Sequence, residues 1–163
     1  MHKFATAKVH LMLYQLQKLS EEERLVVKQS PIWVTLLIAC ADFDIEEAEI
    51  DRAKEIVRIK SFATQNDVKY LYEDLDKNME DEIDKALKSL SANGNKRLSQ
   101  LELKISQLNN ILPKLDKAYA AQFHKSLTDL ALAVAQSGGG VFGIRRINSE
   151  EAKYIHLPML NRP

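Results

Sequence analysis

A chain of 163 residues with 45% hydrophobic and 28% charged side chains fits one domain with a sizeable core, and is too apolar and too weakly charged overall for disorder. Its 23 basic residues balance 23 acidic ones, so no nucleic-acid partner is expected, and the single Cys40 excludes an internal disulfide and a multi-cysteine zinc site while suiting a reducing cytosol. The longest apolar stretch, 34–41 with Thr35 inside it, is far short of the ~20 residues that cross a bilayer, so no direct membrane insertion is expected.

Apolar residues recur at helical spacing nearly everywhere, and no useful length alternates as a strand would. The opening MHKFATAKVHLMLYQLQKLS lacks a long apolar region followed by a small-residue cleavage site, so it reads as a first helix, roughly 5–19, rather than a signal peptide. Val9, Met12, Leu13 and Leu16 share one of its faces. Ser20 and Glu23 have capping-box spacing and open a short second helix. Ser30-Pro31 then reads as the start of a third, because Ser caps well and Pro tolerates the first helical position. That third helix is apolar almost all round over 32–41 and belongs in the middle of a bundle.

Ile50, Ala53, Ile56 and Val57 continue a helix to about Lys60, and SFATQND reads as a link. Val68, Leu71, Tyr72, Leu75, Met79, Ile83, Leu87 and Leu90 form a long stripe whose opposite face is acidic, ended by Asn93-Gly94. Leu98, Leu101, Ile105, Leu108, Leu112 and Leu115 step by three and four. Such a stripe could seed a coiled-coil homodimer seam, but it is short and Pro113 interrupts it, which favours a packed bundle face. A helix from about Asp116 carries Tyr119, Phe123, Leu127, Leu130 and Val134 to a glycine run, and a last short helix follows Asn148. Trp33, Tyr119 and Cys40 read as core. The charge is unevenly spread: residues 1–90 hold 13 Lys and Arg against 18 Asp and Glu, a balance of −5, while residues 91–163 hold 10 against 5, a balance of +5. Either the halves neutralise each other within one fold, or they favour head-to-tail stacking or an acidic partner.

The densest chemistry lies at 42–51, where Asp42, Asp44, Glu46, Glu47, Glu49 and Asp51 follow the apolar helix with no basic residue among them. Asp42 sits at a predicted helix C-terminus, where a further anion is unfavourable by ~0.3–1 kcal/mol. The spacing is not that of an EF-hand, since Glu47 occupies the glycine position and Ala53 the bidentate-glutamate position. Helix caps account for part of the cluster: Ile45 and Ile50 have hydrophobic-staple spacing, and Glu49 falls where a side chain reaches back to cap. They do not account for Asp42 or Asp44.

A weak internal repeat lays Ile38-Ala39-Cys40-Ala41-Asp42 and Ile45-Glu46-Glu47-Ala48-Glu49-Ile50 on Leu132-Ala133-Val134-Ala135-Gln136 and Ile147-Asn148-Ser149-Glu150-Glu151-Ala152, with a Gly-rich insertion in the second copy. The stretch Ala41-Asp42-Phe43-Asp44-Ile45-Glu46-Glu47-Ala48-Glu49 resembles the acidic motif of the TerB family of tellurite-resistance and stress-associated proteins, and LALAVAQSGGGVFGIRRINSEEAKYI resembles its second repeat. The resemblance spans roughly 28–157 of a single domain, 1–163. It departs at Phe43, which replaces the family glycine, and at Gln136, where a second acid is missing. It implies an all-α, single-domain bundle of about seven helices with a pseudo-two-fold repeat of helix pairs. It also implies Asp42, Asp44 and Glu49 as ligands of a weakly held divalent cation such as Ca²⁺, a hard ion that suits carboxylates.

The run Gly138-Gly139-Gly140 with Gly143, Arg145 and Arg146 lacks the Gly-Lys-Ser/Thr ending of a phosphate loop and has no strand before it, so it reads as a connector. Arg145 and Arg146 remain candidates to contact an anion or an acidic partner. His2, His10, His124 and His156 share no ligand spacing, and no Ser or Cys comes with a legible base. The expectation is therefore a cytoplasmic, non-enzymatic interaction or stress-sensing module acting on a protein partner. The alternative is a metal-assisted hydrolase or transferase built on the same acids.

Overall fold

The computed structural model describes residues 14–42, 47–63, 67–136, 147 and 149–163, and of 47–49 and 60–63 the backbone alone. These residues form α1 (Glu21–Ala39), α2 (Glu47–Ala63), α3 (Lys69–Ser89), α4 (Gly94–Ser106), α5 (Leu108–Ile111), α6 (Lys117–Ala135) and α7 (Ser149–Ala152), with a 3-10 turn at Leu112–Lys114. No strand occurs among the described residues, so the chain is the all-α domain its periodicity predicts. No helix among them is long and apolar enough to cross a membrane.

α1 starts where the capping box predicts. The Ser20 hydroxyl accepts from the Glu23 amide at 3.2 Å, and the Glu23 carboxylate accepts from the Ser20 amide at 2.9 Å. Glu23 also pairs with Lys114, and that ammonium, followed by the Ser20 amide, holds its carboxyl below the ordinary range.

The separate helix expected from Ser30-Pro31 does not exist, because α1 runs unbroken through Pro31. A proline inside a helix has no N–H for the carbonyl four residues back, here that of Val27. The Ser30 hydroxyl donates to that oxygen at 2.8 Å, so the group orphaned by Pro31 is satisfied inside the core. Ser30 mends this helix where it was expected to begin one.

From Pro31 to Ala41 every residue is buried, and α1 packs against α2, α3, α4, α5 and α6. Thr35 lies in this stretch with its hydroxyl unbonded among the described residues. A desolvated hydroxyl without a partner costs about 1–3 kcal/mol, so Thr35→Val will raise stability by about 1 kcal/mol in urea denaturation. A loss there would reveal a partner for the hydroxyl.

α2 reaches Ala63, so the first residues of the expected SFATQND link are helical; no Gly or Pro stops the helix sooner. Ile50, Ala53, Ile56 and Val57 are buried as their spacing predicts. α3 runs antiparallel to α2, with Lys54 Nζ 3.5 Å from Glu80, and it buries Val68, Leu71, Tyr72, Leu75, Met79 and Ile83. It stops at Ser89. Asn93 begins α4 rather than ending α3, its side chain accepting from the Lys96 amide at 3.0 Å.

The leucine stripe from Leu98 to Leu115 is buried inside the single chain, which makes it a bundle face. α6 is capped by Asp116, which accepts from the Tyr119 amide at 3.1 Å. In the α3–α6 contact the Tyr72 hydroxyl donates to Ser126 Oγ at 2.9 Å, and Ser126 donates to the Phe123 carbonyl at 2.6 Å. Burial pushes the Tyr72 hydroxyl far above its usual range.

The segments related by the proposed repeat are described only in part, and the helices that follow them differ, 17 residues in α2 against 4 in α7. After α7 the chain turns through Leu157, a buried non-glycine residue at φ 49, a left-handed backbone that costs about 1–2 kcal/mol.

Candidate functional site

Of the predicted cation ligands, Asp42 lies in the turn just past the C-terminus of α1, partly exposed. There Cys40 closes the helix by donating its amide to Leu36 at 2.9 Å. The macrodipole is negative at this end and no basic residue stands in the last turn of α1, so the turn is locally electronegative, as the sequence suggests. Asp44 and the Glu49 side chain lie outside the described residues, as do Arg145 and Arg146. Among the described residues no three His, Cys, Asp or Glu side chains gather as a metal site.

The described surface instead offers clefts on both sides of α3. One, about 500 Å³, lies between α2 and α3, where Lys54, Glu55 and Arg58 face Asp76, Glu80 and Asp81. Its charges are largely matched, since Lys54 Nζ lies 3.8 Å from Asp51 and 3.5 Å from Glu80. The other is a groove in two adjoining parts sharing Gln29, Ile32 and Glu82. Its first part, about 140 Å³, is floored by Ile32, Leu71 and Leu75, with exposed Leu25 at its edge and Lys28 and Asp74 on its rims. The second, about 270 Å³, runs past the edge of Trp33 between α3 and α4. Lys104 Nζ stands 5.3 Å from the Trp33 ring centroid, while Lys85 pairs with Glu82 at 3.4 Å on the opposite rim.

Sequence reasoning missed this groove. Trp33, expected in the core, lies there at 6% exposure, but its remaining edge forms one wall. The available signal was the polarity of Lys28-Gln29 on a helix otherwise turning apolar.

Other titratable groups among the described residues are shifted by burial. Burial raises the Tyr119 hydroxyl well above its usual range, and the Asp67 carboxylate adds to the effect. That hydroxyl has no partner among the described residues. Burial also lowers His124, with the charge of Arg162 adding to the shift. Asp67 itself accepts from Gln15 at 3.0 Å, joining the helical turn at 14–16 to the turn that leads into α3.

Comparison of the chain with family models, curated proteins and solved structures gave no match.

Proposed function

We propose that this protein is a non-enzymatic interaction module of the TerB-like type whose recognition surface is the groove bounded by α1, α3 and α4. The observation that carries this reading is the form of the groove: Leu25, Ile32, Leu71, Leu75 and Trp33 line it beside Gln29, between rims bearing charges of both signs. Interfaces use that layout, with an apolar centre supplying affinity and a charged rim supplying orientation. In the same reading, Asp42, Asp44 and Glu49 hold a divalent cation such as Ca²⁺ weakly, and Arg145 and Arg146 meet an acidic part of the partner. A cytoplasmic setting is read from the single buried cysteine, and a link to stress from the TerB resemblance alone.

Affinity capture from the native host tests this, using the wild-type chain, Leu25→Asp and Ala86→Trp, each with and without millimolar Ca²⁺. Leu25 is exposed and Ala86 lines the groove, so both variants should keep the wild-type fold by circular dichroism while losing the partner. Capture that survives both substitutions would remove the groove from the proposal. The cation is tested separately. Ca²⁺ should raise the melting temperature of the wild-type chain and not of Asp42→Asn, because a ligand confined to the folded state stabilises it by mass action. No shift in the wild type would remove the cation and leave the groove standing.

A further inference from the structure

We propose, on the reading that the groove bounded by α1, α3 and α4 is the recognition surface, that its occupant is an amphipathic helix of a partner protein whose apolar stripe carries carboxylates along one flank and basic groups along the other. The two rims of the groove differ in sign. Lys28 and Lys104 stand on the α1 and α4 side, while Asp74, Glu82 and Lys85 stand on the α3 side. Lys85 and Glu82 pair with each other at 3.4 Å, which leaves Asp74 as the open charge of the α3 rim. Among the described residues Lys28 and Asp74 have no ion-pair partner, and Lys104 meets only the Trp33 ring. Open charges of opposite sign on opposite banks of an apolar floor complement a helix with unlike flanks. Turning that helix end for end would set like charge against like on both banks, so the rims fix its direction as well as its place.

The walls favour a helix over an extended peptide. They are themselves helices, whose main-chain groups are largely spent on their own bonds, and no strand edge stands among the described residues to pair with a visitor. An extended chain laid over Ile32, Leu71 and Leu75 would set its amides and carbonyls against apolar side chains, whereas a helix arrives with those groups already bonded. The length agrees. α3 lines the groove from Leu71 to Ser89, about 27 Å at the helical rise, which a helix of about 18 residues spans. The apolar lining comes in two stretches that meet at Gln29, Leu71 and Leu75 in the first and Trp33 and Ala86 in the second, so the partner's stripe needs an apolar anchor for each.

The test uses the full chain and three fluorescent peptides of about 18 residues, each with leucines at i, i+4, i+7, i+11 and i+14 on an alanine background. One carries glutamate along one flank and lysine along the other, one glutamate along both, and one lysine along both. Anisotropy is followed at low ionic strength, where rim charges are little screened. The mixed peptide should bind the wild-type chain at least tenfold more tightly than either of the others. In Lys28→Glu/Lys104→Glu both rims are acidic, and the lysine peptide should become the tightest of the three. Ala86→Trp, which fills the second stretch, should weaken the mixed peptide at least tenfold. Equal affinities, the same order on both proteins, no saturable binding of the mixed peptide to the wild type, or binding indifferent to Ala86→Trp overturns the proposal. Should the double variant lose its helical circular dichroism, Lys28→Gln/Lys104→Gln replaces it. The advantage of the mixed peptide over the lysine peptide should then fall to threefold or less, and an advantage kept at tenfold overturns the proposal. The groove is judged separately by partner capture: capture lost in Leu25→Asp and Ala86→Trp upholds it, so peptides that fail to discriminate remove the amphipathic helix alone.

Discussion

Phe123→Ala will cost about 4–5 kcal/mol in equilibrium urea denaturation and Trp33→Ala about 3 kcal/mol, the smaller aromatic carrying the larger loss. Phe123 is 0% exposed on α6, so its removal leaves a dry void that the tightly packed helices cannot fill. Trp33 borders an open groove of about 270 Å³, so truncation there enlarges a space that water already reaches and the cavity penalty shrinks. Losing the indole also releases Lys104 from the ring, a contribution of about 0.5–1 kcal/mol. A larger loss at Trp33 than at Phe123 would show that the indole faces closed core and that the groove ends before it.

The second large effect concerns Pro31. Ser30→Ala alone should cost about 1–3 kcal/mol, because the Val27 carbonyl is then buried without a donor. In Ser30→Ala/Pro31→Ala the new amide at position 31 supplies that donor, so the double variant should be more stable than the sum of the singles by about 1–2 kcal/mol. Packing lost with the proline ring is common to both limbs of the cycle and cancels. Strict additivity across the four proteins would mean that the hydroxyl is not what sustains the helix through the proline.

The pair Ser30-Pro31 also shows where sequence reasoning worked and where it failed. Helix type, the central apolar stretch and most core positions were legible, because burial on one face leaves a periodic record that survives without a structure. Junctions were less legible. Ser-Pro and Asn-Gly each fit two roles, and the choice depended on a tertiary fact: Val27 needed a donor, and the amide of Lys96 lay within reach of Asn93. The acidic turn was visible as a run of like charge, whereas the groove was not, since Leu25, Trp33, Leu75 and Lys104 are brought together only by packing. Asn109 gave no warning either, since an asparagine on a short helix is unremarkable until its carboxamide is seen to bond the Met159 carbonyl and the Asn161 amide.

The position of α1 has a further consequence for how the molecule comes apart. Because α2, α3, α4, α5 and α6 all rest on it, detaching any one of them exposes part of its wholly buried, largely apolar stretch to water. Partial opening of the bundle is therefore penalised from every side, and the five packed helices should melt as one cooperative unit about a shared axis.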